Sequence, residues 1–307
     1  MLPLKTALLG ALALVSIWFV VLWARSLKAR QGLGSSDAPA VPTRWETAVG
    51  FVTNFFDTLG IGSYAPTTAV YKLRGMVPDE RIPGTLTVGH ALAAIVQSFI
   101  YISIVEVDAQ TLVLLIVLSI LGARLGAGVV AQWPRRQVQF GMGFALLAAA
   151  GLFVFKNLDE MQGTPLFPGG TALGLDGGLL VIAGAGNFVL GALMTIGVGL
   201  YAPCMIMISL LGMDPRAAFP IMMGSCAFLM PIAGAKFIRV GSYSAGPALG
   251  LALGGIPAVL IAAFIVKSLP LTVLRWLVVV VVLYSSLMMI RSGIREGKGP
   301  VSKDQLT

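Results

Sequence analysis

Long apolar runs, separated by short polar segments, cover most of the chain. The runs span 4–24, 45–73, 83–104, 110–133, 138–155, 178–211, 215–235, 244–266 and 271–290. Runs of about 20 apolar residues cross a bilayer as helices, because backbone groups in lipid must bond within their own segment. No run has the period of two that is typical of a membrane barrel strand. The pattern therefore predicts an all-α polytopic membrane protein.

Two of these runs, 45–73 and 178–211, do not fit a single crossing. Straight helices of their length would exceed a hydrocarbon core of about 30 Å. Each is interrupted by the same phrase, Thr58-Leu-Gly-Ile-Gly-Ser-Tyr-Ala-Pro66 in the first and Thr195-Ile-Gly-Val-Gly-Leu-Tyr-Ala-Pro203 in the second. Division at the phrase gives two half-helices that enter the membrane and return on the same side.

The phrase belongs to a longer duplication. Residues 51–83 align without a gap to residues 188–220, at a constant offset of 137 positions, with thirteen identical pairs. If both broken runs re-enter, 15 Lys and Arg residues lie on the cytoplasmic side and 4 on the other, as the positive-inside rule requires. Each copy then becomes a broken hairpin plus three crossings, in opposite orientation, which is a common plan of secondary transporters.

This plan gives five regions. They are a leading helix and linker (1–44, with the linker at 26–44), repeat one (45–156), an extracytoplasmic loop (157–177), repeat two (178–291) and a cytoplasmic tail (292–307). The first run is longer than the core of a signal peptide, about 7–15 residues, and basic residues follow it, so we expect a retained helix.

The composition fits a membrane protein and indicates neither a nucleic-acid partner nor a disulfide framework or metal site. Hydrophobic residues make up 57% of the chain, charged residues 11%, and the mean hydropathy is +0.91. The net charge of +8 is explained by cytoplasmic loops and requires no nucleic-acid partner. Cys204 and Cys226 lie in apolar runs without paired spacing, so neither a disulfide framework nor a metal site is indicated.

The duplicated phrase supplies the candidate chemistry. Glycines permit tight backbone and close approach of a ligand, and a proline suits the first turn of the helix that follows. Two helix N-termini inside the membrane would bind a small anion through unpaired N–H groups, with hydroxyl groups as further donors. The candidate substrate-binding residues are Gly60, Gly62, Ser63, Tyr64, Thr67, Thr68, Gly197, Gly199, Tyr201 and Cys204. Because the first copy is richer in hydroxyl groups, we expect it to hold most of the anion.

Two alternative interpretations of these glycines remain open. They could merely kink and pack helices, as is common in membranes. The pattern Gly-x-Gly-x-x-Ala also fits a dinucleotide fingerprint, but no strand precedes it. Elsewhere, Gly246, Gly250 and Gly254 recur every four residues on one helix face, which indicates helix packing.

Ionisable side chains within the apolar runs are further candidates. Asp57 lies roughly 18 Å along its half-helix, and a carboxyl group at that depth is costly, so it is a candidate carrier of a coupling proton. His90, the only histidine, suits a proton relay, although it could be only a hydrogen-bonded helix contact. Asn54, Gln97 and Asn187 either line a pathway or bond between helices.

The broken glycine-proline hairpins, the later Pro83-Gly84-Thr85 and small-residue stretches such as 122–127 resemble the TauE/SafE family, the toluene-sulfonate uptake permease superfamily. The resemblance covers about residues 45–290. This chain has Gly62-Ser63-Tyr64 where the family usually has a run of glycines. The resemblance implies transport, often export, of sulfite or small organosulfur anions.

The sequence therefore favours a secondary transporter, an exporter by the resemblance, of a small sulfur-containing anion in the bacterial inner membrane. Proton coupling through Asp57 and His90 is a further hypothesis. An anion channel of the same fold is the alternative. No motif of an intramembrane enzyme is present, and no cofactor is expected. The chain could also form a homo-oligomer, which the sequence leaves open.

Overall fold

The computed structural model describes residues 2–32, 41–126, 129, 134–161, 170–194 and 200–296. Within these residues the chain forms helices and no named strand. The α-helices are α1 (Leu2–Gly32), α2 (Arg44–Thr58), α3 (Tyr64–Arg74), α4 (Ile82–Ile104), α5 (Ala109–Leu121), α6 (Arg135–Met161), α7 (Gly177–Met194), α8 (Tyr201–Leu210), α9 (Ala218–Val240), α10 (Ala245–Ser268) and α11 (Leu271–Glu296). A π-helical turn, Gly122–Gly126, follows α5.

Six helices in the described part of the chain are long and apolar enough to cross a membrane. Their spans are Leu4–Ala29, Asp79–Ile104, Gly177–Met194, Pro215–Val240, Ala245–Ile265 and Trp276–Arg295. Large apolar side chains such as Phe264 and Val181 are exposed on the outside of the bundle, where a bilayer would cover them. The prediction of an all-α, multi-pass membrane protein is confirmed.

Two helices extend beyond the ends of their apolar runs. Helix α1 continues to Gly32, so the first part of the predicted linker is helical, and α6 continues to Met161, past the predicted end of repeat one. The added residues are mostly good helix formers such as Lys, Arg, Gln, Leu and Met, and a helix can continue where hydrophobicity ends. Residues 33–40, 162–169 and the tail from 297 lie outside the described residues.

Helices α2 and α3 form a broken pair. A capping box between Thr43 and Glu46 starts α2. The pair ends at Gly75, a left-handed residue after which the chain turns towards α4. The guanidinium of Arg74 lies 4.2 Å from the ring centroid of Trp45. The outer ends of α2 and α3 therefore meet at one end of the bundle.

Helices α7 and α8 form the corresponding pair. Gly212 follows the end of α8 and has a φ of 92°. The next residue, Met213, pairs with Ala172 in an isolated bridge. The N–H of Asp214 also donates to the Ala172 carbonyl oxygen at 2.9 Å. The segment 170–176, which leads into α7, therefore lies beside the end of α8.

The two halves of the chain pack against each other through corresponding helices. Helix α4 packs on α9 and α6 on α11, while α2 lies along α10 and α7 lies along α5 and its π-helical turn. Glycines permit the last two contacts: a Cβ at Gly254 would clash with the Thr47 carbonyl oxygen, and a Cβ at Gly191 with that of Ser119. The predicted packing role is confirmed for Gly254 and also for Gly250, which faces Glu46.

Candidate functional site

The turn between α2 and α3 brings the duplicated phrase to the middle of the bundle. Its glycines Gly60 and Gly62 have φ angles of 94° and 88°, which favour glycine. The N–H of Gly60 donates to the Asp57 carbonyl oxygen at 2.8 Å and that of Ile61 to the Phe56 carbonyl oxygen at 3.1 Å. These two bonds form a Schellman motif, so Gly60 is required to end α2.

The two glycines face different surroundings. A Cβ at Gly60 would lie 2.6 Å from the methyl group of Met205 on α8, so this residue permits contact between the two broken pairs. Apart from its two chain neighbours, no heavy atom of the described residues lies within 4 Å of the Cβ position of Gly62. Gly62 therefore leaves open space beside the N-terminus of α3.

The carboxyl group of Asp57 is buried at this crossing, with 6% of the residue exposed. Its Oδ2 accepts from Gln97 Nε2 at 3.0 Å and from the Tyr201 hydroxyl at 3.4 Å. Ser63, directly before α3, presents its hydroxyl and backbone N–H close to the same carboxyl group. Donors from α4, from α8 and from the turn before α3 therefore converge on one carboxyl group.

The amide of Gln97 links this carboxyl group to the end of α2. Its Nε2 also donates to Thr58 Oγ1 at 2.9 Å, and its Oε1 lies 3.3 Å from the Tyr201 hydroxyl. The hydroxyl of Tyr101, one turn along α4, donates to the Thr58 carbonyl oxygen at 3.2 Å. Gln97 and Tyr101 thus hold the C-terminus of α2 against α4.

A second cluster surrounds His90, whose exposed fraction is 1%. Its Nδ1 lies 3.0 Å from Asn54 Oδ1 and its Nε2 lies 3.1 Å from Thr67 Oγ1. The Asn54 amide donates to the Gly50 carbonyl oxygen at 2.7 Å, which directs Oδ1 towards His90. The Thr67 hydroxyl donates to the Ser63 carbonyl oxygen at 2.7 Å. His90 therefore joins α2, α3 and α4.

The other predicted site residues divide into four groups. Tyr64 joins the His90 cluster, since its ring stacks on the imidazole with centroids 5.9 Å apart and its hydroxyl donates to Thr87 Oγ1 at 3.2 Å. Thr68 is half-buried and takes no part in these bonds, while Cys204 is fully buried in the core. Gly197 and Gly199 lie outside the described residues. Asn187 donates to the Leu115 carbonyl oxygen at 2.7 Å, which makes it a contact between α7 and α5.

The site is rich in hydrogen-bond donors and poor in charge. No Lys or Arg side chain of the described residues lies within ion-pair distance of Asp57. In the same residues, no group of three His, Cys, Asp or Glu side chains is arranged to hold a metal ion. The arrangement can bind an anion through neutral donors and can hold one proton on the Asp57 carboxyl group.

Four residues near the site were not predicted from the sequence: Thr58, Thr87, Tyr101 and Cys226. Each had a weak signal. Thr58 is one of the identical pairs of the duplication, Tyr101 follows Gln97 by four residues on one helix face, and Thr87 precedes His90 by three. Cys226, whose thiol lies 3.8 Å from the Met194 sulfur, had none beyond its burial in an apolar run.

Comparisons with protein-family models, curated proteins and solved structures found no match to this chain. The resemblance to the TauE/SafE family therefore rests on its residues alone, chiefly the two glycine-proline hairpins and Pro83-Gly84-Thr85.

Proposed function

We propose that this protein is a secondary transporter that exports a small sulfur-containing anion, such as sulfite or an organosulfonate, across the bacterial inner membrane. Two inverted repeats would give alternating access to a site between the broken pairs α2–α3 and α7–α8. The hydrogen-bond donors at the site support an anionic substrate. The TauE/SafE resemblance alone supports a sulfur-containing one.

The contacts at the ends of the bundle support opposite orientations of the repeats. The outer ends of α2 and α3 lie at Trp45 and Arg74, at the end of the bundle where α4 begins. Helix α4 ends at the other side, where the N–H of Asp108 donates to the Leu173 carbonyl oxygen at 2.7 Å. The end of α8 lies beside the segment 170–176, which contains Leu173 and leads into α7. The Lys and Arg count assigns the Trp45 end, and with it the C-terminus, to the cytoplasm.

Helix ends and neutral donors support an anionic substrate. Helices α3 and α8 both begin near the centre of the bundle, at Tyr64 and Tyr201, and neither has a side-chain cap. Uncapped first turns leave N–H groups and a positive dipole end for a ligand. Discontinuous helices of transporters present such ends to anionic groups.

The observation that carries the proposal is the contact between Tyr201 and Asp57. Tyr201 belongs to the second copy of the duplicated phrase and Asp57 directly precedes the first. The two phrases therefore meet at one buried polar site, and a movement of one repeat against the other would open or close it. Asp57 and His90 remain the candidates for proton coupling.

Transport by purified protein in liposomes tests the proposal. Sulfite inside the vesicles should leave against its own gradient when a pH gradient is imposed, and Gly62→Leu should abolish this flux, since a side chain there fills the open space beside α3. Flux that only runs down the sulfite gradient would identify an anion channel instead. Absence of any anion flux or binding would contradict both.

Single cysteines test the orientation of the repeats. Pro78 and Thr171 are both exposed, the first near the Arg74 end and the second beside α7. Pro78→Cys and Thr171→Cys should react with an impermeant thiol reagent from opposite sides of the membrane. The parent protein is the control, because Cys204 and Cys226 are buried. Reaction from the same side would contradict inverted repeats.

A further inference from the structure

The Asp57 carboxylate is itself an anion bound where the proposed function requires the substrate to bind. It lies close to Ser63 at the N-terminus of α3 and accepts from Gln97 on α4 and from Tyr201 on α8. Tyr201 and the Ser63 hydroxyl are among the residues whose donors would hold a transported anion. A donor hydrogen that is bonded to Asp57 is not free for a substrate.

We infer that the Asp57 carboxylate and the transported anion compete for the same donors, so that the anion binds only when Asp57 carries a proton. This inference rests on the proposed function. When no substrate is bound, the Asp57 carboxylate takes the place of the substrate among the donors, and the substrate displaces it from them. One proton is then taken up for each anion that binds.

Charge conservation within the site supports the exchange. An ionised Asp57 without substrate and a protonated Asp57 with a monoanion both place one negative charge among the donors. An ionised Asp57 beside an anion would place two, and two like charges a few ångströms apart in a desolvated site repel each other strongly. The donors of Ser63, Gln97 and Tyr201 can satisfy one such charge.

Among the described residues, the elements around Asp57 offer no cation to relieve this repulsion. The titratable side chains facing Asp57 are Tyr64 on α3, Tyr201 on α8 and Cys226 on α9, all neutral when protonated. His90 on α4 is engaged by Asn54 and Thr67. Helix α10, which lies along α2, has no ionisable residue before its penultimate position.

Binding of methanesulfonate and ethanesulfonate at different pH values tests the competition, since both probes stay singly ionised throughout. Above the pH at which Asp57 ionises, the wild-type affinity should fall about tenfold per pH unit, as one linked proton requires. Asp57→Asn cannot ionise and keeps an oxygen acceptor for Gln97, so its affinity should not change with pH. Glu46→Gln is the matched control, because it makes the same chemical change about 16 Å away on α2, where a glutamine also completes the capping box.

Proton uptake gives a second measurement that needs no variant. In weakly buffered solution at alkaline pH, wild-type protein should take up about one proton per anion bound. No uptake, or an Asp57→Asn variant with the pH slope of the wild type, overturns the competition. If a pH gradient still drives sulfite against its own gradient while anion binding shows no pH dependence, the transporter assignment stands and the competition fails. If neither probe nor sulfite binds or moves at any pH, both proposals fail.

Discussion

The broken pairs α2–α3 and α7–α8 share a backbone plan but differ in chemistry. The second helix of each pair begins near the centre of the bundle, at Tyr64 or Tyr201, and is followed by a left-handed glycine, Gly75 in one pair and Gly212 in the other. Where the first pair has Asp57, the second has Met194, and where the first has Ser63, the second has Leu200. The duplication has kept the glycines that follow the two pairs and has replaced these polar side chains.

The same difference separates α4 from α9. At the 137-residue offset, the positions of His90, Gln97 and Tyr101 hold Ala227, Gly234 and Ile238. These three polar groups of α4 are thus missing from the other copy, although Thr58 and Tyr64 have the polar counterparts Thr195 and Tyr201. A buried polar group is costly without its partners, so such a network is kept or lost as a unit. The two repeats therefore share the scaffold, and the first carries the hydrogen-bonding chemistry.

The largest effect is expected when one member of the network is placed alone in the second copy. Ala227 is fully buried, and the positions that correspond to Asn54 and Thr67 hold Gly191 and Cys204. Ala227→His adds bulk and leaves ring nitrogens without partners, so it should cost at least about 3 kcal/mol of stability. Thermal unfolding of the detergent-solubilised protein measures this.

Ala227→Leu separates steric from polar cost in that experiment. It overpacks the same position without a polar atom and should cost about 1–3 kcal/mol. If Ala227→His were as stable as Ala227→Leu, the second copy would tolerate a lone polar group. The network would then not be kept or lost as a unit.

Sequence alone could predict the scaffold because its causes are local. Membrane helices follow from apolar length, and the breaks follow from glycine and proline that recur at a fixed offset. The identical pair Gly75 and Gly212 is explained in the same way, since both adopt the left-handed conformation that ends a helix. A residue type dictated by its own backbone can be recognised without knowledge of its neighbours.

The partners within the site could not be predicted in this way. Asp57 and Gln97 are 40 residues apart, and Asp57 and Tyr201 are 144 apart. Their contacts depend on how each helix is rotated and where it crosses the next, which apolar runs without a polar face do not specify. Helix ends were misplaced for a related reason, because α1 and α6 continue beyond the residues that lipid would cover.

A smaller effect is expected when the network is reduced in the first copy. His90→Ala gives α4 the residue that α9 has at this position, and it leaves Asn54 Oδ1 and Thr67 Oγ1 without the imidazole. We expect a loss of about 2 kcal/mol in stability from the cavity and the unpaired amide. His90→Gln, which keeps a donor, should lose less. Thermal unfolding and anion flux are measured together on both variants.

The two measurements distinguish the roles of His90. A structural contact would lower stability in His90→Ala and leave the flux per folded molecule of His90→Gln at the wild-type value. A proton relay would slow pH-driven flux in His90→Gln even when that variant is as stable as the wild type, because an amide does not titrate. Wild-type stability in His90→Ala would contradict the structural role, and wild-type pH-driven flux in His90→Gln would contradict the relay.

The smallest effect compares the two tyrosines of the duplicated phrase. Tyr201 contacts Asp57 and Gln97 across the repeats, whereas Tyr64 contacts Thr87 within its own repeat. If Tyr201 donates to Asp57 in the empty site and to the anion in the occupied site, Tyr201→Phe weakens both and should change affinity little at alkaline pH. At acid pH the empty site has a protonated Asp57, and Tyr201 can turn to the neutral Gln97 oxygen. The bond lost with the anion is then stronger than the bond lost without it, so methanesulfonate affinity should fall about fivefold.

Tyr64→Phe should leave affinity within about twofold of the wild type at either pH, since it loses only a neutral bond to Thr87 in both states. Equal losses in the two variants would mean that the tyrosines act alike, and the difference between the repeats would then have no consequence for the anion.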